Sequence, residues 1–141
     1  MTESVYKERR KKLTAALRSG QYKQIQGTLK REDGMCCLGV ACELSGLGSW
    51  EEAHDGEHEY FTKEVKHQDD PYSTHRSASN SILPTKVQNY YGFTSENGKF
   101  DQATKYGKKC LSELNDRGYT FTQLADIIDM EPEGLIANGK G

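Results

Sequence analysis

Between Asp33 and Glu43 the chain runs from Gly34 to Cys42 without a single charge, and this segment limits the fold more than any other. If it is helical, no face of it suits water, so it belongs inside. The spacing predicts a buried helix of about three turns ending near Gly46. Cys37, Leu38, Val40, Ala41 and Leu44 are expected to be buried, and Gly39 is expected to let another helix approach closely. A central element of this kind matters because only 34% of the 141 residues are hydrophobic. The usual share is about 45–50%, glycine included, and the 14 glycines narrow the gap.

Around that helix the chain reads as one α+β domain, residues 1–141, with about four helices packed with two to four short strands. Residues 4–19 suit an amphipathic helix with a narrow stripe of Val5, Leu13, Ala16 and Leu17, stopped at Gly20. Tyr22 to Lys30 suits one or two short strands kinked at Gly27. Leu83 and Pro84 open a helix that Gly92 closes, and Phe93 to Phe100, containing Asn97 and Gly98, suits a hairpin or loose turn. A helix over about 102–115 would turn Cys110, Leu111 and Leu114 inward and stop at Gly118. Thr120 or Thr122 then caps a last helix, Phe121 to Met130, with Leu124, Ala125, Ile127 and Ile128 on its apolar side. Residues 138–141 are expected to fray. From about 49 to 80 the chain is polar and holds all four histidines. Tyr60 to Val65 suits a strand there, and the rest reads as a polar insertion or lid.

Several classes of function are disfavoured. No apolar run approaches the roughly 18 residues of a membrane span, and the basic, polar first twelve residues do not resemble a secretory signal. The four cysteines therefore read as reduced, small hydrophobes. Cys36, Cys37 and Cys42 have the wrong spacing for zinc. A reactive Cys36 or Cys37 near a helix N-terminus, with a histidine from 54–75 as base, is the enzymatic alternative: a cysteine-dependent hydrolase or transferase. His54 and His58 would align for a metal only on a helix, which Asp55 and Gly56 oppose, so no metal ligand is assigned. Phosphate-loop and dinucleotide fingerprints are absent, and no cofactor is expected. Residues 102–130 could imitate a helix-turn-helix, but the second helix offers only Gln123 as a base reader beside Asp126 and Asp129.

Charge is distributed unevenly. Residues 1–31 carry nine Lys/Arg against Glu3 and Glu8, a net +7, while residues 111–141 carry six acids against Arg117 and Lys140, a net −4. The basic helix can pair with the protein's own acidic half, or it can attract an anion. Nucleic-acid binding through it is a second alternative, weakened by a pI near 6.1. Arg18, Tyr22, Lys23 and Gln24 lie within one short stretch. Together they offer a guanidinium, an aromatic face, an ammonium and an amide, an array suited to a small anionic, nucleotide-like ligand. The competing reading is a helix-to-strand corner in which Gln24 satisfies backbone groups and Tyr22 fills the core edge.

Ala16-Leu17-Arg18-Ser19-Gly20, Tyr22, Gln24, Leu29, the block from Cys36 to Leu44, Leu83-Pro84, Val87 and Tyr91-Gly92-Phe93 also form a pattern. It continues through Leu114-Asn115-Asp116, Gly118, Phe121, Leu124-Ala125-Asp126 and Ile128. In this order the pattern resembles a family of small, largely uncharacterised proteins of tailed bacteriophages and prophages, and it omits residues 49–80. The resemblance implies an accessory protein in the host cytoplasm and supplies no catalytic residues. The expected role is a non-enzymatic binder, of counter-defence type. It would sequester a small nucleotide-derived signal or block a host protein, as a monomer or a homo-oligomer.

Overall fold

The computed structural model describes residues 3–53, 56–65, 74–79, 81–101 and 108–136. The first half comprises α1 (Glu3–Ser19), β1 (Lys30–Arg31), β2 (Gly34–Met35), α2 (Cys37–Ser45), β3 (Gly48–Glu52) and β4 (Glu57–Val65). The second comprises β5 (Thr74–Ser79), α3 (Thr85–Tyr91), β6 (Lys99–Asp101), β7 (Lys108–Cys110), α4 (Leu111–Asp116) and α5 (Phe121–Met130). The class is α+β, and among the described residues there are five helices and seven strands, more strands than expected.

The charge-free segment is the hub. Cys37, Leu38, Val40, Ala41 and Cys42 are at most 2% exposed, and Leu44 packs against the core from a half-buried position. Gly46 ends α2 in the left-handed region (φ 67°), a conformation that favours glycine. α2 touches α1, α3 and α4 on its helical sides and β2 and β3 on the other. Gly39 does admit a close neighbour, but the neighbour is not a helix. A methyl group there would lie 2.1 Å from the Leu29 carbonyl oxygen, in the bent segment just before β1. The Tyr91 hydroxyl ties α3 to the hub by donating to the Ala41 carbonyl at 2.6 Å.

Two other expectations change. The polar stretch supplies three strands, β3, β4 and β5, where only one was expected at 60–65. β4 forms the spine of the sheet: β3 pairs along residues 58–62 on one edge, and β1 and then β5 follow each other along the opposite edge. Tyr60 and Thr62 point inward at 2% and 1% exposure, while Glu59 and Phe61, which alternate with them, are only half buried. An antiparallel sheet with one wet face tolerates polar residues at every second position, which masks it in a composition count. Of the expected helix over 102–115, residues 108–110 form β7, and its helical part among the described residues is α4. Before it, Lys99–Asp101, with Phe100 only 1% exposed, pair with Lys108–Cys110. Asn97 and Gly98 therefore precede the hairpin and do not form its tip. Residues 102–107 and 138–141 lie outside the described residues.

α1 lies along α5, burying Leu13 and Leu17 together with Leu124, Ala125, Ile127 and Ile128. Thr120 is the residue that caps α5: its side chain accepts from the Gln123 amide, and the Gln123 side chain returns a bond to the Thr120 N–H.

Candidate functional site

The four residues singled out in the sequence occupy three settings. Arg18 points to α5, donating to Asp126 Oδ1 and pairing with Asp129 Oδ2, each at 2.8 Å. These carboxylates, Asp126 foremost, raise the guanidinium pKa further. Along the same seam Lys11 meets Asp129 at 4.0 Å, and Lys7 and Arg10 meet Glu131 at 3.9 and 3.5 Å. Much of the +7 segment thus faces the chain's own acids. Arg10 is buried, donating to the Tyr91 carbonyl at 2.6 Å.

Gln24 belongs to a buried polar junction. Its Nε2 donates to Asn115 Oδ1 at 2.8 Å and to the Tyr119 carbonyl at 2.7 Å, and its Oε1 accepts from the Phe121 N–H at 3.0 Å. Asn115, fully buried, donates from Nδ2 to the Ile25 carbonyl at 2.7 Å and accepts from the Cys37 N–H at 3.2 Å. Cys37 and Phe121 are the first residues of α2 and α5, where amides lack partners within the helix. Cys36, at the N-cap of α2, offers no side-chain bond. Two carboxamides from elsewhere in the chain therefore satisfy two helix starts. Asp116 adds a bond from the Gly27 N–H at 2.8 Å.

Tyr22 and Lys23 remain together, in a cleft of about 280 Å3 beside the β1–β2 turn that also takes in Lys30, Arg31, Glu32 and Asp33. Lys30 holds its ammonium 5.0 Å from the Trp50 ring centroid, and Arg31 pairs with Glu57 at 3.2 Å. This cleft carries both signs of charge on its walls.

A second groove, of about 370 Å3, lies between α1 and α3 and is lined by Tyr6, Arg9, Leu47, Lys86, Asn89 and Tyr90. Arg9 is fixed from one side: its guanidinium carbon stands 4.0 Å from the Tyr90 ring centroid and 5.8 Å from that of Tyr6, and Nη1 donates to the Tyr90 carbonyl at 2.9 Å. Tyr90 is held edge-on against Tyr91 at 5.0 Å. Lys86 and Asn89 are exposed. Among the described residues two cations and no carboxylate line this groove, and its volume falls in the ordinary range for small-molecule sites, about 300–1,000 Å3. Aromatic ring, guanidinium, ammonium and amide thus come together here, from residues that the sequence reading did not select. The signal was present as helical spacing, Tyr6 with Arg9 and Lys86 with Asn89 and Tyr90. What it lacked was any sign that α1 and α3 face each other.

Among the remaining candidates, Cys36, Cys37 and Cys42 are buried. Burial pushes the Cys36 thiol up to about 11 and raises Cys37 and Cys42 above the ordinary thiol value. His58 stands on β4, opposite Lys30 on one side and Glu52 on the other; His54 lies outside the described residues. Among the described residues no group of three His, Cys, Asp or Glu side chains gathers to hold a metal, and no helix is long and apolar enough to cross a membrane. Gln123, the single base reader of the imitation helix-turn-helix, is engaged in the cap of α5.

A protein-family model described as a domain of unknown function, DUF8296, matches residues 5–132. No curated protein and no solved structure matches the chain.

Proposed function

We propose that this chain, which belongs to the DUF8296 family, is a non-enzymatic binder of a small anionic, nucleotide-like ligand. The observation that carries the reading is the α1–α3 groove, where Arg9 is fixed against Tyr90 beside Lys86 and Asn89 with no lining carboxylate among the described residues. A guanidinium already stacked and bonded gives up little freedom on meeting an anion. Resemblance to phage proteins extends the reading to an accessory role in the host cytoplasm, withholding a nucleotide-derived signal from host defence. Thiols kept neutral by burial are poor nucleophiles, which favours binding over cysteine chemistry. The pairing of α1 with Asp126, Asp129 and Glu131 likewise favours a compact anion over a nucleic acid.

The test is expression in a bacterial host whose defence uses a nucleotide signal, with plaque counts as readout. The wild-type chain restores plaques and Lys86→Glu does not, while both are folded to the same extent. Equal rescue by both chains would remove the groove from the function, and no rescue by either would remove the counter-defence role. A second reading places the anion in the Tyr22–Lys23 cleft, which Lys30 and Arg31 also line. Lys23→Glu then replaces Lys86→Glu as the inactive variant.

A further inference from the structure

The groove limits the ligand further. Resting on the reading that it binds an anion, we infer that it takes a single nucleotide with a terminal phosphomonoester, and not a cyclic or linked dinucleotide. Three observations lead there. The groove holds about 370 Å3, room for one nucleotide, whereas two linked nucleotides carry twice the bulk. Its lining holds two cations, Arg9 and Lys86, and no carboxylate among the described residues, which matches a phosphomonoester, whose second ionisation near pH 6 brings it close to −2 at neutral pH. A cyclic diester carries only one charge on each phosphate. Third, the donors differ in kind as one nucleotide requires. Nη1 of Arg9 is engaged with the Tyr90 carbonyl, and the rest of its planar fork, with the exposed Lys86 ammonium, suits a phosphate. Tyr6 offers a ring and Leu47 an apolar surface for the base and sugar, and Asn89 supplies both a donor and an acceptor for a base edge.

Isothermal titration of the full chain at fixed moderate salt tests this with adenosine and guanosine 5′-monophosphates, the two nucleosides, inorganic phosphate, 3′,5′-cyclic AMP and cyclic di-AMP. One of the monophosphates is expected to bind at least tenfold tighter than its nucleoside, than phosphate and than either cyclic compound. Lys86→Glu should lower that affinity at least tenfold with an unchanged denaturation midpoint, and Asn89→Ala should reduce the preference between the two bases. If a cyclic compound binds as tightly as the monophosphates, the inference fails and the binder reading stands. If inorganic phosphate competes equally, base recognition is absent and the inference fails likewise. Affinity lost in Lys23→Glu and kept in Lys86→Glu moves the site to the other cleft and overturns it. If nothing binds more tightly than about 1 mM, equivalent to only some 4 kcal/mol, both the inference and the reading fall.

Discussion

Asn115 and Asn89 are both carboxamides on short helices, yet their surroundings are opposite. Asn115 is fully buried, and each end of its amide is bonded to a segment distant in sequence. Asn89 stands exposed on α3 at the rim of a groove. The same contrast holds between Gln24, with donor and acceptor both engaged, and Lys86, exposed to solvent. Gln24, Asn115 and Asp116 of the phage-like pattern build the junction with the Cys37 and Phe121 amides they reach, and Arg18, Tyr91 and Asp126 of the same pattern hold other contacts within the fold. Tyr6, Arg9, Lys86, Asn89 and Tyr90 lie outside the pattern. The pattern marks the architecture, and the groove proposed to bind an anion is read from the fold.

The sharpest way to break that comparison is Asn115→Leu. It leaves the Cys37 N–H and the Ile25 carbonyl without their Asn115 partner and removes one of the three bonds of the Gln24 amide. Such groups cost about 1–3 kcal/mol each when orphaned, so a loss of roughly 3–5 kcal/mol in urea denaturation is expected, most of a small domain's margin. A midpoint equal to that of the parent would put Asn115 in the same class as Asn89. Leu38→Ala comes next, at roughly 2–5 kcal/mol, the usual range for deleting a core leucine. No change there would make α2 a surface and open it to a partner.

The thiols provide a pH-dependent version of the same test. Cys36 has a folded value of about 11 against an ordinary 9.0, so the fold favours the neutral thiol. Its contribution is complete below pH 9 and is lost as the pH rises toward 11, up to about 3 kcal/mol at roughly 1.4 kcal/mol per unit. Stability should therefore fall above pH 9, and less steeply in Cys36→Ala. Alkylation of Cys36 in the native chain at pH 7.5 should be slow and become fast only in denaturant. Rapid native alkylation would reverse this and return the cysteine enzyme to first place.

How much was legible follows from where each signal lies. The buried hub was plain because nine consecutive uncharged residues leave a helix no wet face. α5 was plain because apolar spacing is local, and the capping signal narrowed its start to Thr120 or Thr122, of which the fold uses Thr120. The sheet in the polar stretch was hidden because Glu59 and Phe61 lie on a half-buried face, so only every second residue reports burial. The junction was beyond reach: Gln24 and Asn115 are 91 residues apart, and nothing near either one names the other. Gln24 was weighed as a backbone-satisfying residue on chemistry alone, which is the role it has here. The sequence neighbours of Arg18 suggest a ligand contact, whereas its partner Asp126 lies 108 residues away.

Arg18 supplies the smallest expected effect and the finest discrimination. It bridges Asp126 and Asp129, but its side chain is 37% exposed and that of Asp126 is 61% exposed. Solvent screening therefore discounts the bridge, and exposed pairs of this kind contribute about 0–1 kcal/mol. Arg18→Ala should lower stability by less than about 1 kcal/mol. That difference should shrink toward zero as salt approaches 1 M, where the screening length is only about 3 Å. Two results would redraw the comparison. A salt-insensitive loss as large as that of Leu38→Ala would place the α1–α5 seam with the buried junction. A tenfold loss of nucleotide affinity at unchanged stability would return Arg18 to the binding surface, and with it the claim that residues of the pattern hold the fold and leave recognition to others.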